Sequence, residues 1–154
     1  MRVLFVRHGE RRKGEADPEL TSFGFRMVEE TATWLHTFGL MPDLVQHTPT
    51  RRTEQTTDTL IARLPTTARE TIPEAPELTL EWEQWIAELQ SRPSPPDTVL
   101  LVGHHPTLEM LLQSYGPAPA AVSRHHFAVG LLLESGDNES WTITHAWPGR
   151  SSLS

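Results

Sequence analysis

Short apolar segments of strand length alternate with longer segments of helical periodicity, and this alternation constrains the fold of the chain most. Residues 3–6 and 99–102 form unbroken apolar runs, which are typical of strands buried in a parallel sheet. Apolar side chains recur on one helical face from Ser22 to Phe38, and Gly39 follows as a stop signal. The alternation predicts an α/β domain with a mostly parallel central sheet, in a three-layer α/β/α arrangement.

The remaining elements are predicted from turn residues and shorter patterns. They are a strand at 44–45, a helix with Thr48 as N-cap and Pro49 at its first position that runs to about residue 64, a short strand near 71–72, a helix over 81–90, a helix opened by Pro106, and two closing strands at 127–133 and 141–146. No internal repeat and no domain boundary interrupts this order. We therefore expect residues 1–154 to form a single domain.

Composition narrows the classes of function. The 154 residues include no cysteine, which excludes disulfides, thiolate catalysis and cysteine metal sites, and fits a reducing cytoplasm. No apolar run approaches the roughly 18 residues of a membrane span, and the apolar start is too short for a signal peptide. The net charge of −7 argues against nucleic-acid and membrane partners. We expect a cytoplasmic monomer or weak dimer.

Three clusters of titratable residues follow predicted strands. They are Arg7 to Glu10, His47 to Arg52, and Gly103 to His105. In an open α/β sheet, ligands bind beyond the carboxyl ends of the strands, so these clusters are expected to meet at one end of the sheet. Two of them lead into predicted helix starts, whose free N–H groups favour anions.

The four central residues of these clusters suit phosphoryl transfer. Arg7 and Arg52 present planar donor groups that match phosphate oxygens. A neutral imidazole such as His8 can attack phosphorus, and a cationic surround keeps it unprotonated. The same cations, with His104, would stabilise the charge on the transferring group without a metal ion or another cofactor.

These residues lie in four motifs that together resemble the histidine phosphatase superfamily, which includes phosphoglycerate-mutase-like enzymes. That family opens with a strand ending in RHG-E/D, and this chain has VLFVRHGE. An LTxxGxxxA-like segment corresponds to Leu20 through Gly24, and an SPxxRAxQT element corresponds to TPTRRTEQT at residues 48–56. The GHxP element corresponds to GHHP at residues 103–106.

The resemblance implies a role for each matching residue. His8 resembles the phosphorylated nucleophile, and Arg7, Arg52 and His104 resemble the residues that bind the phosphate, with Gly9 and His105 as further candidates there. About fifty residues separate Arg52 from His104, too few for the large lid of other members. With PELT at residues 76–79, the chain looks most similar to the small SixA-like phosphohistidine phosphatases.

The proton donor to the leaving group is left open by the sequence. Many members of the family use a glutamate in the central region, and Glu81 and Glu83 fall there without a motif that selects either. Glu10 is a third candidate because it lies close to His8 in the chain. A phosphoramidate leaving group can be protonated beforehand, so a missing acid motif agrees with a phosphohistidine substrate.

Neighbouring residues offer alternatives to several of these assignments. Arg51 adjoins Arg52, and His105 adjoins His104, although spacing within the motifs selects Arg52 and His104. His125 and His126, with His104 and His105, could suggest a metal site. Adjacent residues of a strand point to opposite faces and no carboxylate motif accompanies them, so we expect no metal.

Two functions are consistent with the sequence. The first is a metal-independent phosphatase that acts on a phosphohistidine protein or on another small phosphorylated substrate through phosphorylated His8. The second is a non-catalytic, regulatory module that keeps the pocket and only binds phosphate. Mutase chemistry is disfavoured, because handing the phosphate back to a bound intermediate needs a closed lid.

Overall fold

One six-stranded sheet and four helices make up the fold in the computed structural model, which describes residues 1–66 and 68–152. The strands are β1 (Arg2–Arg7), β2 (Leu44–His47), β3 (Arg69–Thr71), β4 (Thr98–Gly103), β5 (Gly130–Ser135) and β6 (Trp141–Trp147). The helices are α1 (Ser22–Phe38), α2 (Arg51–Ile61), α3 (Thr79–Gln90) and α4 (His105–Tyr115). None of the helices in the described segments has the length and apolarity needed to span a bilayer.

The strand order β3-β2-β4-β1-β5-β6 places β1 inside the sheet, between β4 and β5. β1, β4, β2 and β3 run parallel, whereas β5 and β6 are antiparallel additions. In this register Arg7 lies opposite Gly103, and His47 lies opposite Val102. The carboxyl ends of β1, β2 and β4 therefore meet at one end of the sheet, as the sequence predicts.

Helices cover both faces of the sheet, which confirms the three-layer prediction. Side chains of β1 alternate between the faces, as strand geometry requires. Leu4 and Val6 pack in a cluster with α1 and α2, whereas Val3 and Phe5 pack in a second cluster with α3 and α4. All four side chains are fully buried. β1 is therefore held from both sides at the centre of the core, and its C-terminal end is held with it.

The prediction that α2 starts at Thr48 and Pro49 is wrong. The helix begins at Arg51, with Thr50 as its N-cap. Thr50 Oγ1 accepts the N–H of Thr53 at 3.3 Å. The TPT segment offers two threonines with capping side chains, and the hydroxyl of Thr48 is engaged elsewhere, at the site described below.

Two further boundaries differ from the prediction. α2 ends at Ile61 rather than near residue 64, because the residue that precedes Pro65 is disfavoured in helical conformation. The strand predicted at 127–133 is shifted along the chain, and β5 begins at Gly130. Ala128 has a φ angle of 55°, in the left-handed region, which interrupts any strand at that point.

Candidate active site

The four residues predicted to form a pocket are neighbours at the carboxyl ends of β1 and β4. Arg7 is the last residue of β1 and His8 follows it, while His104 follows β4 and Arg52 lies in the first turn of α2. The ring centroids of His8 and His104 are 5.5 Å apart. Arg52 Nη2 lies 3.5 Å from His104 Nδ1. Two imidazoles and two guanidinium groups therefore face each other at this end of the sheet.

The backbone fixes the tautomer of His8. Its side chain is buried, and Nδ1 lies 2.8 Å from the carbonyl oxygen of Gly9. Because a carbonyl oxygen only accepts hydrogen bonds, Nδ1 carries the proton and Nε2 keeps its lone pair. Nε2 has no hydrogen-bond partner in the part of the chain that the structure describes. Nε2 is therefore the ring atom of His8 whose lone pair is free to act as a nucleophile.

Gly9 packs closely against α1 in the loop after β1, and its expected role in binding phosphate stays a prediction. Its N–H donates to Thr56 Oγ1 at 3.1 Å, and its carbonyl holds His8. A Cβ on Gly9 would lie 2.7 Å from the Gly24 oxygen and 2.8 Å from Val28 Cγ2. Glycine at this position lets the loop after β1 approach α1 closely enough to fix the His8 ring.

Both arginines keep an unpartnered donor in the pocket. Arg7 Nη1 donates to the carbonyl of His126 at 2.9 Å, and its guanidinium carbon lies 4.4 Å from the centre of the Phe127 ring. The Nε atoms of Arg7 and Arg52 are buried and have no hydrogen-bond partner among the described residues. An unpaired buried donor is unfavourable, so this pair of N–H groups suits an acceptor-only ligand such as phosphate.

A threonine network holds His104. Thr48 Oγ1 lies 2.8 Å from His104 Nε2 and donates to Thr53 Oγ1 at 3.0 Å. Thr53 Oγ1 in turn donates to the carbonyl of Thr48 at 2.8 Å. These contacts fix the ring orientation of His104 from the β2–α2 connection. The Nδ1 atom of His104 is left facing Arg52.

Burial and positive charge keep both rings neutral. Burial lowers the pKa of His8 to about 3, against the effect of its hydrogen bond to Gly9, and the nearby cations lower it further. Burial, followed by the charges of Arg52 and Arg7, lowers the pKa of His104 to about 4. Burial also lowers the pKa of Arg7 to about 10, which leaves it charged at neutral pH.

At about pH 5 we expect the rings of His8 and His104 to be neutral, whereas a histidine with the ordinary pKa near 6.5 is mostly protonated. Ring nitrogen chemical shifts in an NMR titration measure this, with His8→Asn and His104→Asn variants for assignment. Inorganic phosphate should raise both midpoints, because an anion favours the protonated ring. Midpoints near 6.5 in the free protein would contradict the described burial of the two rings.

Glu10 has a structural role at the edge of the site. Its Oε1 accepts the hydroxyl of Thr21 at 2.8 Å, and its Oε2 accepts the hydroxyl of Ser152 at 2.6 Å. The carboxylate thus ties the loop after β1 to the start of α1 and to the C-terminal segment.

The two glutamates of α3 lie in different places. Glu81 Oε1 accepts the N–H of Leu78 at 3.0 Å and so caps α3, and the residue also lines a cavity of about 300 Å³ together with His104. Glu83 lines a separate groove with Tyr115. The structure therefore does not bring Glu83 to the pocket, because its position on α3 faces α4 and β6.

The residues next to Arg52 and His104 in the chain contact carboxylates outside the pocket. Arg51 Nη2 pairs with Glu19 at 2.8 Å, so Arg52 is the arginine that reaches His104. His105 Nε2 lies 3.1 Å from Glu109 Oε2, and its expected contact with phosphate stays a prediction. Within residues 1–66 and 68–152, no group of three histidine or carboxylate side chains is arranged to hold a metal ion.

Other residues of the site were not singled out from the sequence. Thr56 Oγ1 accepts the N–H of Gly9 and donates to the carbonyl of Arg52 at 2.7 Å. Gln55 Oε1 accepts the N–H of Leu20 at 2.7 Å. The TPTRRTEQT segment carries the signal for Thr48, Gln55 and Thr56. Thr56 joins the loop after β1 to α2, Gln55 joins the residues before α1 to α2, and Thr48 contacts His104.

Comparisons with known proteins agree with this geometry. The family model of the histidine phosphatase superfamily (branch 1) matches residues 3–81, slightly more than half of the chain. A search of curated protein sequences finds no match.

Solved structures similar to this one include the protein histidine phosphatase SixA in complex with tungstate. It superimposes with a TM-score of 0.78 at 20% sequence identity, over 96% of this chain and 97% of that one. A protein from Agrobacterium tumefaciens assigned as a phosphohistidine phosphatase SixA gives a TM-score of 0.74 at 23% identity, over 95% and 96% of the two chains. At these identities the structural likeness shows a shared fold. With the family match, it establishes that the chain belongs to the histidine phosphatase superfamily.

Proposed function

We propose that the protein is a metal-independent phosphatase that forms a phosphohistidine on Nε2 of His8 and then hydrolyses it. The observation that carries this proposal is the fixed tautomer of His8. Nδ1 of His8 donates a hydrogen bond to the carbonyl of Gly9, which leaves the lone pair of Nε2 for the pocket. The unpartnered Nε donors of Arg7 and Arg52 in the same pocket suit the phosphoryl oxygens.

In the first step, the Nε2 lone pair of His8 forms a bond to phosphorus while the bond from phosphorus to the leaving group breaks. Arg7 and Arg52 stabilise the charge on the phosphoryl oxygens during this displacement, and His104 adds an N–H donor once the phosphoryl group favours its protonated ring. The bond electrons go to the leaving group, which in a phosphoramidate already carries its proton on nitrogen and in an ester receives one from water. In the second step, water attacks phosphorus, the P–N bond breaks, and inorganic phosphate leaves with His8 restored.

Within the described part of the chain, none of the three glutamates considered from the sequence is in hydrogen-bond contact with His8, and this favours a phosphoramidate substrate such as phosphohistidine. Glu10 accepts two hydroxyl groups, Glu83 lies in another groove, and one oxygen of Glu81 caps α3. A phosphorylated nitrogen can be protonated before the P–N bond breaks, so it needs a protein acid less than an ester oxygen does. We accordingly propose a phosphohistidine-carrying protein as the partner, in the cytoplasm.

The test compares two substrates in the presence of EDTA. Wild-type protein is incubated with a phosphohistidine peptide and with p-nitrophenyl phosphate, and released phosphate is measured. We expect turnover of both, with the larger kcat/KM for the peptide, because the peptide supplies its own proton at the leaving nitrogen. Rapid quench in alkaline detergent with radiolabelled peptide should trap label on the protein in an acid-labile, base-stable form typical of phosphohistidine.

Different outcomes separate the parts of the proposal. Phosphate binding without turnover of either substrate would support the non-catalytic module instead. Turnover that disappears with EDTA and returns with a divalent cation would overturn metal independence. A larger kcat/KM for p-nitrophenyl phosphate would overturn the phosphoramidate preference alone.

A further inference from the structure

A second cavity, of about 630 Å³, opens beside the phosphate pocket. One of its walls is Phe127, whose ring centroid lies 5.9 Å from that of His8 and whose ring also contacts Arg7. The opposite wall is the loop after β1, from Glu10 to Glu15. The cavity therefore adjoins the position of the phosphoryl group and lies where the rest of a substrate could extend.

The charged side chains in this wall differ in whether they form hydrogen bonds or ion pairs with other residues. Glu10 accepts hydroxyl groups with both of its carboxylate oxygens. Arg12 pairs with Glu19 at 3.4 Å and approaches Glu15 at 3.9 Å. The side chain of Arg11 makes no hydrogen bond or ion pair with any residue in the described part of the chain. Arg11 is thus an uncompensated cation in a protein whose net charge is −7.

Arg11 lies within electrostatic reach of the phosphate pocket. Burial is the largest cause of the lowered pKa of Arg7 and of Arg52, and the charge of Arg11 is the second largest. It also contributes, after burial and the two pocket arginines, to the lowered pKa of His104. A backbone bridge to Leu20 fixes the position of Arg11 in the loop. Arg11 is exposed in the wall of this cavity, where its guanidinium is open to an anionic ligand.

We propose that Arg11 binds a second anionic group of the substrate, a carboxylate or phosphate joined by a short linker to the group that is dephosphorylated. This inference rests on the proposed function and deepens it, because it assigns specificity to the wall of the adjoining cavity. It selects substrates with a negative charge near the phosphoryl group over equally large neutral ones. The anionic group could belong to a small metabolite or to an acidic side chain next to a phosphohistidine.

Phosphonates test the subsite without requiring turnover. Binding of phosphonoacetate, phosphonopropionate and phosphonobutyrate is measured by calorimetry, each beside the alkylphosphonate of the same length. For at least one length we expect the carboxylate to bind about tenfold tighter than its alkyl counterpart, the size of one charge-assisted hydrogen bond. Arg11→Gln should bring that ratio close to one.

The matched control removes an arginine charge far from the cavity. Arg63 is exposed beyond the C-terminal end of α2, and Arg63→Gln should keep the wild-type ratio. A ratio that stays tenfold in Arg11→Gln, or that is near one at every length in the wild type, would overturn the proposal. Binding with no catalytic turnover would count against the proposed function but not against this subsite. No binding of any phosphonate would count against both.

A pair of phosphohistidine peptides distinguishes the two sources of the anion. The peptides differ only in a glutamate or glutamine beside the phosphohistidine. A preference for the glutamate peptide that Arg11→Gln abolishes identifies an acidic protein segment as the ligand. Equal kcat/KM for the two peptides, together with the phosphonate preference, identifies a small dianionic substrate.

Discussion

Replacing His8 with asparagine is expected to lower kcat/KM by about three orders of magnitude or more, because it removes the atom that forms the intermediate. The asparagine amide can still donate to the carbonyl of Gly9, so the loop after β1 keeps its hydrogen bond. The measurement is kcat/KM for the phosphohistidine peptide together with trapping of the phosphorylated protein by an alkaline quench. We expect neither turnover nor trapped label in the variant.

His47 provides the matched control, since it repeats the backbone contact of His8 at the neighbouring strand. His47 is buried at the end of the parallel strand β2, and its Nδ1 lies 2.9 Å from the carbonyl of Thr48. Its Nε2, however, accepts the Nε–H of Arg69 at 2.9 Å, so its lone pair is occupied. His47→Asn should keep most of the activity. Substantial turnover by His8→Asn, or equal losses in the two variants, would contradict the assignment of the nucleophile.

Replacing Gly24 with alanine is expected to give the largest loss of stability. A Cβ at this position would lie 2.1 Å from the carbonyl oxygen of Glu10, a backbone atom. Because backbone cannot rotate away, α1 must shift from the loop after β1. We expect overpacking to cost about 3 kcal/mol, which lowers Tm by roughly 6–12 °C in a domain of this size. Thermal unfolding followed by circular dichroism measures this shift.

The same substitution should also affect activity. Gly9 packs against Gly24, so a displaced α1 moves the carbonyl that holds the Nδ1 proton of His8. We expect kcat/KM to fall about tenfold or more in the folded variant, as for other small displacements of a reacting group. Gly136→Ala is the control, since its Cβ would have no heavy atom nearer than 3.6 Å. If the Tm of Gly24→Ala equalled that of Gly136→Ala, the predicted clash between α1 and the loop after β1 would be contradicted.

Much of the fold follows from local patterns in the sequence. The apolar runs that became β1 and β4 permit little besides buried strands, and α1 has the predicted limits because Thr21 caps it and Gly39 ends it with a φ angle of 91°. The start of α2 could not be predicted in this way. Thr48 and Thr50 are equivalent as local caps, and the choice depends on His104, which is distant in sequence.

In the site, too, some residues can be predicted from the sequence, whereas others depend on contacts that are distant in the chain. His8, Arg7, Arg52 and His104 could be predicted because parallel strands bring their carboxyl ends together. The role of Glu10 could not, since it depends on the hydroxyl of Ser152 at the other end of the chain. The exposure of Arg11 to the pocket likewise depends on how the loop after β1 folds, and no periodic pattern describes that loop.

The position of β1 has a consequence for when the protein becomes functional during synthesis. Arg2 at the start of β1 pairs with Thr98 on one side and with Glu134 on the other. A growing chain that has not yet released β4 and β5 from the ribosome lacks both neighbours of the strand that carries the nucleophile. Contacts so distant in sequence also close slowly. Under the proposed function, the pocket around His8 therefore forms only after β4 and β5 have left the ribosome, and shorter chains lack it.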